Sequence, residues 1–252
     1  MRAKMLATAL VCALACAFTV APLGAQRAGG HDPLHEMDWG RTTFVRSEVL
    51  EFAPQADARP VLYDLVGWTG GPIHRLWLKA EGTMVTRGQG SHGEYRALYG
   101  RMFSPYWDAQ FGLRVDLQSV AGRTESRVGA VVGLQGVAPG WFELEPSLSV
   151  TTEGKVMADL TGSYDLYLSQ RLVLQPRAEA SVAAQDTPEF GVGSGLTNGS
   201  VALRLRYELR REFSPYVGVV WERRFGRTAE FARIAGERAG EALFVVGVRL
   251  WR

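Results

Sequence analysis

Cysteine, histidine, net charge and helical periodicity are what this chain has least of. Its 252 residues include two cysteines and four histidines. Cys12 and Cys16 sit near the start of the sequence, so everything after them has neither a disulfide framework nor a thiolate ligand. The formal charge is +2, and it falls to zero once Arg2 and Lys4 are set aside with the leader described next. A neutral chain lacks the basic footprint of a nucleic-acid binder, so no nucleic-acid partner is expected. Long apolar runs are missing too, with one exception. Arg2 and Lys4 precede an apolar stretch from Met5 to Val20, then Leu23-Gly24-Ala25. That is the layout of a cleaved export signal, too short and wrongly flanked for a membrane-spanning helix. The expected organisation is a signal peptide over 1–25, a flexible periplasmic tail over 26–42 and one all-β domain over 43–252.

What the chain does have is alternation. From Val201 to Leu209 the odd positions are Val, Leu, Leu, Tyr and Leu, while Arg204, Arg206 and Glu208 occupy even ones. A period of two marks a strand with one apolar and one charged face. Similar stretches predict twelve strands, near 43–52, 59–68, 73–85, 94–103, 106–118, 127–137, 141–152, 155–167, 171–184, 200–212, 215–226 and 242–251. A hairpin turn is expected at Phe213-Ser214-Pro215, because proline cannot donate to a ladder.

Period alone leaves open which face points inward, since a soluble lipocalin-like barrel also alternates. Three features favour the inverted, membrane form. Many strands run to ten residues or more, which suits a tilted crossing. Aromatics gather at strand ends, at Trp68, Phe103, Tyr106, Trp107, Trp141, Phe142, Tyr167, Phe213, Tyr216 and Trp251, as in interfacial girdles. Tight turns alternate with longer connections at 86–93, 119–126, 185–199 and 227–241, the pattern of short periplasmic turns and external loops. The expected fold class is therefore a single antiparallel transmembrane β-barrel of about twelve strands, of outer-membrane type, in contact with outer-membrane lipid.

In that barrel the charged faces line the lumen. Asp108, Arg114, Asp116, Arg177, Glu179, Arg204, Arg206 and Glu208 are the candidate lumen charges, with Arg210, Glu143, Glu145, Asp159 and Asp165 beside them. Buried charges need partners, so a salt-bridged interior is one reading and a lined path for cations or solutes the other. Register suggests Glu179 as the partner of Arg204. His31, His35 and Met37 are the candidate metal ligands, because imidazole and thioether suit copper in its two oxidation states. Met84 and Met157 are candidate soft ligands in the lumen. His74 and His92 stand alone, outside any nucleophile motif, so no enzyme activity is expected.

Longer motifs add to this. Arg75-Leu76-Trp77-Leu78-Lys79 with Glu81-Gly82, then Ser104-Pro105-Tyr106-Trp107-Asp108 with Gly112-Leu113-Arg114, continue in Gln170 to Arg177. Arg204-Leu205-Arg206-Tyr207-Glu208 and Arg211 to Gly218 follow, then Phe225-Gly226 with Thr228-Ala229, and finally Gly247-Val248-Arg249-Leu250-Trp251. Together they resemble the copper resistance protein B family of outer-membrane proteins, from Arg41 onward. The resemblance implies a copper-tolerance protein of the outer membrane, with copper ions as ligand and a periplasmic copper-resistance protein as a partner. Such proteins usually carry a Met- and His-rich N-terminal segment. Here it is reduced to His31-Asp32-Pro33-Leu34-His35-Glu36-Met37, and Arg252 departs from an aromatic terminus. A general small-solute channel with no metal role is the alternative.

Overall fold

A computed structural model describes residues 41–252 except 57–58, 86–89 and 121–122. The expected leader over 1–25 and residues 26–40 of the expected tail, with His31, His35 and Met37, lie outside the described residues. The strands are β1 (Thr42–Phe52), β2 (Pro60–Gly70), β3 (His74–Val85), β4 (Ser91–Ser104), β5 (Trp107–Val120), β6 (Arg123–Ala138), β7 (Phe142–Thr151), β8 (Val156–Ser163), β9 (Leu166–Tyr167), β10 (Leu172–Ala183), β11 (Gly195–Tyr207), β12 (Phe213–Arg224) and β13 (Gly240–Trp251). Each pairs antiparallel with its neighbours, and β13 pairs with β1, so the sheet closes on itself. Closure matters because an open sheet edge in lipid would leave backbone groups unpaired. Among the described residues no helix is long and apolar enough to cross a membrane.

β8 and β9 are two pieces of one crossing, which brings the barrel to the twelve strands that alternation predicts. The break has a local cause. Pro176 of β10 stands opposite Tyr164 and has no N–H to give, so the ladder is interrupted there. Tyr164 still donates its N–H to the Pro176 carbonyl at 3.1 Å, and pairing resumes at Leu166.

Alternation is resolved in one sense only. In β5, Phe111 and Leu113 are 56 % and 60 % exposed on the outer face, whereas Arg114 and Asp116 are 6 % and 4 % exposed within. An apolar outside and a charged inside invert a soluble barrel, and only a lipid surround makes that arrangement stable. One end carries short turns, at 71–73, 105–106, 139–141, 168–171 and 208–212. The other carries most of the longer connections, notably 184–194 and 225–239.

Four expectations are corrected. The β11–β12 hairpin turns at Glu208–Glu212, not at Phe213–Pro215. Pro215 lies inside β12, paired with Val248 near the strand's end, where a missing donor is tolerated. The connection expected over 119–126 shrinks to 121–122, because β5 and β6 keep pairing through polar residues, with Ser119 Oγ and Thr124 Oγ1 at 2.9 Å. The connection over 227–241 contains a helix, α1 (Gly226–Ile234), whose buried Thr228, Ala229 and Ala232 form one face. Tyr216 and Trp68 are not in the girdle, since Tyr216 points inward and is buried, and Trp68 packs against the inward Val66 and Trp77.

That inward Tyr216 pins the seam between β1 and β13. Its hydroxyl accepts from Leu50 N at 3.3 Å, at a register shift in β1. Its ring lies across Gly247, where an added Cβ would meet Tyr216 Cζ at 2.5 Å and the Leu50 carbonyl at 2.7 Å. Gly247→Ala should therefore cost about 1–3 kcal/mol through overpacking. Denaturant unfolding of the refolded barrel measures it, and an unchanged midpoint would mean that the seam yields freely.

Candidate functional site

The lumen is crossed by ion pairs that join distant strands. Arg177 of β10 reaches Asp64 of β2 at 2.7 Å, five strands round the ring, and Glu179 beside it at 2.6 Å. Lys79 of β3 donates to Glu145 of β7 at 2.5 Å and to Gln110 at 3.1 Å. Arg114 is a hub, bonded to Glu94 at 2.7 Å, Asp116 at 2.8 Å and Asp159 at 2.7 Å. Arg127 of β6 reaches Asp116 through two nitrogens at 2.9 and 2.7 Å. Toward the short-turn end, Asp165, in the break between β8 and β9, accepts from Arg206 at 2.7 Å and Arg249 at 3.4 Å.

Of the sequence candidates, Asp108, Arg114, Asp116, Arg177, Glu179, Arg204 and Arg206 all point into this interior. Asp108 pairs with Arg75 at 2.8 Å. Glu208 lies just past β11 at the rim, 3.8 Å from Arg206, and Arg210 is exposed in the turn. The Arg204 partner is not Glu179. Its Nε and Nη2 donate to the two oxygens of Glu51, at 2.5 and 3.2 Å, while Glu179 is held by Arg177 and Ser200. Glu51 sits on β1, three strands away in the ring.

Sequence reasoning missed Glu51, Asp64, Lys79, Glu81, Glu94, Arg96 and Arg127. The signal was present in β3, where Arg75, Trp77, Lys79 and Glu81 alternate with Leu76, Leu78 and Ala80. Between these side chains lies a cavity of about 190 Å³, lined by Asp64, Lys79, Glu81, Arg96, Glu145 and Arg177 among others. Its cations are taken up in pairs with carboxylates, and Arg96 bonds both Glu94 and Glu145. Such an interior holds its own charges in place.

Among the described residues no group of three or more His, Cys, Asp or Glu side chains is arranged to hold a metal ion. Met157 does face inward and is buried, but Met84 is on the outer face, because its position in β3 has the opposite parity to Lys79 and Glu81. His74 is also outward, with Nδ1 2.5 Å from the Tyr99 hydroxyl. His92 is exposed at the start of β4.

A closed ring with an apolar exterior and an ion-paired interior defines a transmembrane β-barrel of the porin-like kind. A NanC porin structure shares that architecture, with a TM-score of 0.50 at 12 % identity over 83 % of this chain and 99 % of that one. The family model described as Copper resistance protein B precursor (CopB) matches residues 41–252. Copper resistance protein B of Escherichia coli is 38 % identical over 80 % of this chain and 67 % of its own length. The Copper resistance protein B homolog of Pseudomonas syringae pv. tomato is 40 % identical over 81 % of this chain and 68 % of that protein. The chain belongs to the copper resistance protein B family.

Proposed function

We propose that this barrel sits in the outer membrane and serves copper resistance by limiting the passage of copper ions, while the tail residues His31, His35 and Met37 bind them. The observation that carries the first half is the Arg177–Asp64 pair, which ties β10 to β2 across the lumen. A charge bridge held at both ends narrows the path more than unpaired side chains would. Ligand chemistry carries the second half, since imidazole takes copper(II) and thioether takes copper(I). A periplasmic copper-resistance protein is the natural exchange partner for a tail on that side.

The test is survival of a deletion strain on copper, complemented by the parent chain or by one lacking residues 26–41. The parent should restore tolerance, and the truncated chain should restore less. Purified protein carrying His31→Ala, His35→Ala and Met37→Ala together should bind less copper(II) than the parent. Binding by the parent should weaken below about pH 6.5, as protonated imidazole cannot ligate. Equal copper per molecule in parent and triple variant would remove the tail from the mechanism. Complementation that leaves tolerance unchanged would favour a general solute channel.

A further inference from the structure

The long-loop end of the barrel does not merely trail into solvent. Residues 184–194, between β10 and β11, fold into a narrow hairpin in which Thr187 and Val192 exchange backbone hydrogen bonds at 2.7 and 3.1 Å. Its tip is a short 3-10 turn, Pro188–Phe190. The Phe190 ring lies over the guanidinium of Arg127, with Cζ 4.5 Å from the ring centroid. Arg127 belongs to β6, three strands round from β10, is buried, and is already bonded to Asp116. The tip therefore reaches from one wall to another and rests on the Arg127–Asp116 ion pair. An aromatic face on a guanidinium is attractive, and more so once water is excluded.

The root of the hairpin is held from three directions. Asp186 accepts from Ser194 N at 2.7 Å and pairs with Arg227 of α1 at 2.5 Å. The Ser194 N–H first, and then Arg227 and Lys155, hold its carboxyl below the usual aspartate range. Lys155, from the β7–β8 connection, donates to the Asp186 carbonyl at 2.9 Å. Gly193 N donates to Thr228 Oγ1 at 2.9 Å, at a contact where an added Cβ would lie 2.5 Å from Arg227 Cβ. On the neighbouring sector, Ala53 and Ala56 of the β1–β2 connection pack inward against Ala202, Val220, Leu243 and Val245.

We propose that the hairpin at 184–194 is a latch over the lumen entrance, with Phe190 on Arg127 as its catch, and that it governs entry of small solutes from the long-loop side. This rests on the narrow-lumen reading above and adds how entry is controlled. Arg127, fixed by Asp116, is the stationary half. Phe190, on a hairpin anchored only at its root, is the moving half.

Two measurements test it on the full-length protein. In planar bilayers with potassium chloride, Phe190→Ala and a deletion of 188–191 should each raise single-channel conductance about two-fold or more over the parent. Heat-modifiable migration verifies that each variant is a folded barrel. The second readout uses Met157→Cys. Met157 points inward and pairs with Ala183 at the latch root, and Cys12 and Cys16 are the chain's own cysteines. A charged thiol reagent should label that cysteine faster when Phe190→Ala is also present. Conductance and labelling rate that match the parent in folded variants overturn the latch. Copper survival is scored separately, so a latch that opens without any change in tolerance leaves this inference standing while the copper reading falls.

Discussion

Arg204→Ala should destabilise the barrel by about 3–5 kcal/mol, the range for stripping one partner from a buried ion pair. Glu51 is 1 % exposed, and both of its carboxylate oxygens accept from Arg204. Tyr216 stands beside it, bound to Leu50 N, so the loss falls on the closing seam of the sheet. Removing both ends tests the mechanism. Glu51→Ala with Arg204→Ala should cost far less than the two single changes added together, because no stranded carboxylate remains. Glu179→Ala with Arg204→Ala should be close to additive, since Glu179 answers to Arg177 and Ser200. Denaturant midpoints in lipid vesicles give all of these values. An additive Glu51–Arg204 pair would show that lumen water already screens the bond.

That pair also shows what a sequence of this kind discloses. Parity assigns Arg204 to the inside from its neighbours alone, because side chains alternate strictly along a strand. It cannot name the partner. Glu51 is 153 positions away, reached through β12 and β13, and a register shift in β1 between Ser47 and Glu51 moves it relative to the ladder. Asp64 and Arg177 illustrate the same limit, being on nearly opposite walls. Strand number, ring closure and charged interior were legible because each follows from a local period and from the need to pair every edge in lipid. The partners depend on barrel tilt and bulges, which leave no local mark.

The outer connections failed for a different reason. α1 covers nine residues, too few for a 3.6-residue period to stand out, and its N-cap is Phe225, which has no side-chain oxygen to signal a start. Its buried set, Thr228, Ala229 and Ala232, has helical spacing only in hindsight of where β11 lies. The 184–194 hairpin depends on Arg127 for its docking, 63 positions from Phe190, and a stray phenylalanine in a polar stretch announces nothing. The candidate copper ligands are a separate matter. His31, His35 and Met37 were chosen on donor type, and the residues described from 41 onward say nothing about how they are arranged.

The same charge placed on the two faces of the wall should give opposite results. Leu113 is 60 % exposed on the outer face, flanked in register by Ala97 and Ala130. Leu113→Arg puts a guanidinium against hydrocarbon with no carboxylate in reach, and should cost on the order of 2–4 kcal/mol if the position lies near the bilayer midplane. Thr161 lines the lumen cavity between Glu145 on β7 and Glu179 on β10, its register partners. Thr161→Arg gains acidic neighbours and water, so it should stay within about 1 kcal/mol of the parent. Refolding yield, heat-modifiable mobility and denaturant midpoint should all separate the two variants in the same direction. A soluble barrel would reverse the order, tolerating arginine outside and rejecting it within. Equal losses would mean that the cavity is too tightly packed for any larger side chain, and Thr161→Val would then show whether volume or charge is responsible.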